Sequence, residues 1–270
     1  MILILACFRC TPARANPPAG YELVWADEFN KPSLDTKKWD YWLLGLRRDA
    51  FNVTNAVSLD GSNLVITTYS DKGTHYSGFI STSSTFRPHF GYLEARIQWG
   101  DTNGTWSAFW LQSPTMGRDH GNPSASGSEI DIAEHRYVDD KGKLINDQIQ
   151  PNLHWNGYGQ DSKSVGGNNY GNGLGSGFHI YGLLWTPEYY SISIDGTEVR
   201  KWNFADNHVP ISNSPEFFIL STEVDATSTK WAGSIPADGY RSLSNSTTKM
   251  RVDYVRYYAS INQSVPAIPK

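Results

Sequence analysis

Cysteine is scarce in this chain. Its 270 residues include 2 cysteines, Cys7 and Cys10, both near the start. If that start is removed, no disulfide is available and the hydrophobic core must hold the fold. Charge of one sign is also lacking, since 23 Lys and Arg against 27 Asp and Glu leave −4. That balance gives no basic footprint for nucleic acid or an anionic membrane. No apolar run after the first residues approaches the ~20 needed to cross a bilayer. Long helical periods and internal repeats are missing too.

The opening residues read as an export segment. Ile2–Phe8 is a short apolar run, and Ala13-Arg14-Ala15 fits a small-x-small cleavage site, although no positive residue precedes the apolar run. The expectation is a signal peptide over 1–15, one domain over 16–260 and a C-terminal tail over 261–270. The product would be secreted or periplasmic, with a lipid anchor at Cys7 as the alternative. The mature form is expected to be monomeric and free of the membrane.

Aromatic and turn residues are plentiful: 10 Trp, 15 Tyr, 11 Phe and 24 Gly. Strand patterns dominate. From Tyr92 to Trp99, Leu93, Ala95, Ile97 and Trp99 share one face, while Tyr92, Glu94, Arg96 and Gln98 share the other. Ser107–Gln112 is a dense apolar strand. Asp195-Gly196 marks a hairpin after Tyr190–Ile194. Residues 157–177, rich in Gly, Asn and Ser, read as a long surface loop. Short strands with Gly, Asn and Ser turns imply an all-β, two-sheet sandwich or jelly roll.

The run Ser128-Glu129-Ile130-Asp131-Ile132-Ala133-Glu134-His135 carries the chemistry. On a regular strand Glu129 and Asp131 share a face and Glu134 points away. A β-bulge at Ile132-Ala133 would bring Glu134 round to join them. Clustered carboxylates with separated pKa values suit acid-catalysed glycoside hydrolysis. A metal cluster of Glu129, Asp131, Glu134 and His135 is the competing reading, but His135 should point away from Glu134. Trp106 and Trp110, four apart, share a face, either in the core or stacking on sugar. Trp25, Trp39 and Trp99 read as core.

In order along the chain, Leu23–Phe29, Phe90–Ile97, Gly104–Leu111, Glu129–Glu134, Phe178–Pro187 and Val252–Arg256 resemble the segments of glycoside hydrolase family 16. The acidic strand is similar to the bulged form found in its laminarinases, agarases and carrageenases. The resemblance implies a concanavalin-like jelly roll with an open cleft on its concave face. It implies a retaining, endo-acting glycosidase in which Glu129 is the nucleophile, Asp131 the assisting acid and Glu134 the acid/base. Glu129 must then be ionised and Glu134 protonated, its pKa raised by its acidic neighbours and a partly dry cleft.

The implied polysaccharide contacts are Trp106, Trp110, His154 (close to Asp131), Trp155, Glu223 and Trp231, with Trp185 as a further outer candidate. Arg118, Asp119 and His120 are candidates for a specificity wall before the acidic strand, as is the Asn168-Asn169-Tyr170 loop. No cofactor is expected for catalysis, but Glu28 and Asp253 resemble a structural calcium site. The expected substrate is a β-1,3- or β-1,3/1,4-glucan. A β-linked galactan is the alternative, because Glu223 and Trp231 resemble the agarase-like branch. A lectin without chemistry, or a transglycosylase, would use the same fold.

Overall fold

The computed structural model describes residues 17–227 and 229–262. The export segment and the tail beyond residue 262 lie outside these residues.

Two antiparallel sheets face each other. The first orders its strands Thr197–Asn203, Tyr189–Ile194, His179–Trp185, Gly91–Gln98, Lys249–Ser260, Leu64–Thr67 and Val57–Leu59. Lys249–Ser260, twelve residues long, is its spine and also pairs with Tyr21–Asp27. The second sheet runs Lys163–Val165, Gln150–Trp155, Glu129–Arg136, Thr105–Gln112, Phe217–Val224, Phe79–Ser81 and Asp40–Tyr41. A small third sheet is built from Gly45–Arg47, Ala50–Asn52, Thr74–Ser77 and Tyr69–Asp71. Helix among the described residues is confined to the single turns Pro123–Ser126 and Phe204–Asn207 and one 3-10 turn at Thr54–Ala56. None is long enough to cross a membrane.

The pattern of alternation explains the core. Leu93, Ala95, Ile97 and Trp99 are buried against Phe109, Leu111, Ile130 and Ile132 of the facing sheet. Trp39 and Trp99 are in this core and Trp25 packs on it, as expected. The expected hairpin also forms. Asp195 and Gly196 both have positive φ (49° and 81°), as a type I′ turn requires. The outer face of Gly91–Gln98 is less exposed than alternation alone suggests. Tyr92 and Glu94 are buried there; Glu94 accepts a hydrogen bond from the Tyr258 hydroxyl (3.3 Å) and faces Arg256 (3.9 Å). Burial raises the Glu94 carboxyl to about 6. The loop at 157–177 holds one short edge strand, Lys163–Val165, paired to Gln150–Trp155.

Candidate active site

The acidic strand occupies the middle of the second sheet, between Thr105–Gln112 and Gln150–Trp155. Its ladder slips on both sides. Phe109 pairs with Ala133 but Trp110 with Asp131, leaving Ile132 unmatched. On the other edge, Asp131 pairs with Asn152 and Glu134 with Gln150, so Ile132 and Ala133 oppose one residue. This is the expected bulge. Ile130, Ile132 and Ala133 are buried in the core behind the strand. Glu129, Asp131 and Glu134 all face one cleft of about 900 Å³.

The three acids have different surroundings. Glu129 accepts a hydrogen bond from the Tyr158 hydroxyl, and His154 Nε2 lies 4.0 Å from its other oxygen. Burial raises its carboxyl, opposed by His154, Tyr158 and Arg47. Asp131 has His154 Nε2 at 3.3 Å. Burial first, then the Glu129 charge, raise it well above the usual carboxylate range. Glu134 accepts from the Asn152 amide, which is itself fixed by the Gly167 N–H at 2.8 Å. Burial, then Asp131 and to a smaller degree Glu129, push Glu134 well up. The ionisable atoms of Glu129, Asp131 and His154 lie within 4.8 Å of one another, with His154 Nε2 nearest to Asp131, a donor set that could also hold a metal ion.

Aromatic and charged groups complete the cleft. Trp42, Trp106, Trp110 and Trp231 line it. Trp106 and Trp231 meet edge to face at 4.5 Å. Trp110 is held by a 3.0 Å bond from its indole N–H to the Ser221 hydroxyl. Arg136 lies over Trp231 at 3.6 Å. Glu223 is paired with Arg47 (2.9 Å) and Arg48, and Arg48 also pairs with Asp225 (3.0 Å) while lying 4.9 Å over Trp106. Arg48 takes a left-handed conformation (φ 50°) in the turn between Gly45–Arg47 and Ala50–Asn52. Backbone strain of that kind persists where surrounding contacts over-determine it. Here Asp49, next in the turn, accepts from Ala226 N (2.7 Å) and Thr227 N (2.8 Å).

Of the expected contacts, Trp106, Trp110, His154, Glu223 and Trp231 line the cleft with the three acids. Trp155 does not. It follows His154 on a strand, so it faces the opposite way and packs on the core. Arg118 is exposed and is not part of the cleft lining. Its loop is bound to the turn at Pro123–Ser126 by Asp119 N to Ser126 Oγ (3.0 Å), and His120 faces Asp161 (3.2 Å). Asn168 and Asn169 are exposed away from the cleft lining, and Tyr170 is tied to the Ile149 backbone. Trp185 is a core residue, not an outer subsite; its indole N–H donates to Ser212 O (3.2 Å).

His135 stacks on Trp99 behind the strand (5.4 Å, 3°), which removes it from any metal cluster with Glu134. The two residues of the expected calcium pair each meet an arginine. Glu28 is held by both Arg256 nitrogens at 2.8 Å, and Asp253 by Arg96 at 2.7 Å.

Sequence reasoning missed several lining residues. Asn152 was legible, since it lies two before His154 on the same strand face. Tyr158, on an irregular loop, and the Arg47-Arg48 turn carried no such signal.

Three carboxyl groups at the floor of an open cleft, two of them strongly proton-retaining, beside tryptophans that fit pyranose rings, make up the constellation that hydrolysis of an O-glycosyl bond requires. Glycosyl hydrolases family 16 matches residues 47–256, and the chain belongs to that family. It is 26% identical to glucan endo-1,3-beta-glucosidase A1 of Niallia circulans, over 89% of this chain and 38% of that protein. It is also 26% identical to the keratan-sulfate endo-1,4-beta-galactosidase of Sphingobacterium multivorum, over 88% of this chain and 55% of that protein. The chain thus spans between about a third and just over half of these relatives' lengths. A solved structure of SCLam, a non-specific endo-beta-1,3(4)-glucanase, superposes with a TM-score of 0.66 at 26% identity, covering 91% of this chain and 93% of that one. A structure from work on endo-acting O-glycanases that initiate mucin breakdown in the human gut microbiota gives 0.71 at 25% identity, covering 90% and 92%.

Proposed function

We propose that this chain is a retaining, endo-acting β-glycosidase whose substrate is a β-1,3- or β-1,3/1,4-linked glucan. The observation that carries the reading is the bulge that gathers Glu129, Asp131 and Glu134 on the floor of a tryptophan-lined cleft. Glu129, with a hydroxyl donor on one oxygen, attacks the anomeric carbon. Glu134, kept protonated by burial and by its acidic neighbours, gives its proton to the leaving oxygen as the glycosidic bond breaks. The glycosyl-enzyme has lost the Glu129 charge, so Glu134 ionises more readily and takes a proton from the attacking water. Asp131 and His154 share and relay charge beside Glu129. An open cleft suits internal cleavage of a polymer. The glucan assignment is supported by the named activities of the Niallia relative and of SCLam.

A β-linked galactan is the second reading. It is favoured by Glu223 and its two arginines in the cleft, polar groups suited to sorting hydroxyl configurations. The Sphingobacterium relative and the O-glycanase neighbour also support it. A lectin would have no use for a proton-retaining Glu134. Export of a monomer through the residue 1–15 segment fits a substrate too large to enter a cell.

The test is release of reducing ends from laminarin, lichenan, agarose, carrageenan and keratan sulfate, with the product anomer followed by NMR. Laminarin or lichenan cleavage with a β-anomer formed first is expected. Glu129→Gln and Glu134→Gln should abolish it. Turnover confined to galactans selects the second reading, and no turnover on any polymer defeats both.

A further inference from the structure

We propose that Tyr158 is a positioning residue that fixes the nucleophile, through a hydrogen-bond relay whose polarity the neighbouring strand sets. The inference rests on Glu129 being that nucleophile.

Gln112 ends the strand beside the acidic one and sits directly across from Glu129 in the ladder. Its amide nitrogen donates to the Tyr158 oxygen, and the Tyr158 hydroxyl donates to Glu129 Oε2. An amide NH₂ can only donate, and a phenol has a single proton. With its oxygen already accepting from Gln112, Tyr158 must point that proton at the carboxylate. The phenol stays protonated, because burial of its hydroxyl end and the Glu129 charge both raise its pKa. The residue as a whole is 66% exposed on the loop after Gln150–Trp155, so the chain packs little against it.

The relay occupies one carboxylate oxygen. The other, Oε1, has His154 Nε2 at 4.0 Å and is the oxygen the relay leaves to attack. A hydrogen bond to a carboxylate is stronger than one to an ester carbonyl. Tyr158 therefore favours the ionised, free Glu129 over the glycosylated one. It helps Glu129 to be charged before attack and to leave during deglycosylation. The other charged groups facing Glu129 are Asp131 and Glu134 on its own strand, His154 on the next, Arg47 from the small sheet, Glu223 from Phe217–Val224 and Glu216 just before that strand. None of these replaces the donor to Oε2.

The experiment compares Tyr158→Phe, Gln112→Ala and Glu129→Gln with the parent enzyme. Readouts are kcat and KM across pH and thermal unfolding. Tyr158→Phe should leave unfolding unchanged and KM within about twofold. It should lower kcat about ten- to hundredfold, the range carried by a hydrogen bond to a charged group. The acidic limb of kcat/KM should move up by about one pH unit, since losing the donor raises Glu129. Gln112→Ala should show the same changes, smaller. Parental kcat with an unmoved acidic limb in Tyr158→Phe, beside an inactive Glu129→Gln, overturns the proposal and leaves the nucleophile intact. A Tyr158→Phe loss confined to KM also overturns it, assigning the ring to sugar contact. A Glu129→Gln enzyme that still turns over removes both.

Discussion

Replacing Asp131 by asparagine keeps the shape of the bulged strand and removes the negative charge that Asp131 carries between Glu129 and Glu134 once pH exceeds its raised pKa. Burial is the larger cause of the raised Glu134 carboxyl, and Asp131 is the next. A like charge within ~4–6 Å is worth roughly 1–3 pH units, and the smaller end applies where burial dominates. Asp131→Asn should therefore lower the Glu134 pKa. Glu134 works in its protonated form, so activity falls as pH rises through its pKa. The basic limb of kcat/KM should move down by about one unit. The plateau should fall as well, because Glu129 loses the partner that shares its proton.

Stability should move the other way. Asp131 is raised in the folded state above its ordinary value of 3.8. Unfolding at higher pH releases its proton, so from that value upward the group costs stability, and the cost grows until pH passes the folded pKa and is constant above it. Removing it should stabilise the protein at neutral pH and raise its Tm. Initial rates against pH and scanning calorimetry would read both effects. A basic limb that stays in place or moves upward would refute the coupling.

Arg48→Ala should raise KM and cost about 1–2 kcal/mol of stability, less than a fully buried pair because the side chain is part-exposed. It removes one partner of Glu223 and Asp225 and the cation over Trp106; an unchanged KM would place this cluster outside substrate contact. Chelator should leave Tm unchanged, since arginines already neutralise Glu28 and Asp253. A drop reversed by calcium would count against that pairing.

The sheets were legible because side chains alternate with a fixed period of two and Leu93, Ala95 and Ile97 follow it cleanly. Glu134 was legible for the opposite reason, since it breaks that period by one residue. Trp155 went wrong because its neighbour His154 takes the cleft face, and two adjacent strand residues cannot both do so. The Glu28–Arg256 and Asp253–Arg96 pairs were hidden because partners so distant in sequence meet only after folding. Tyr158 lay outside any periodic pattern. Its role depends on a loop path that local propensity does not determine.

The unmatched Ile132 makes this strand unusually forgiving of a shortening. Excising a single amino acid from a central strand normally turns every later side chain inside out. Here the gap would close the ladder one-to-one with both neighbours, and the last glutamate would fall into plain alternation with Asp131, still on the floor beside it. A gene that loses this codon would keep its three acids, so length variants of this catalytic segment can interconvert without passing through a dead enzyme.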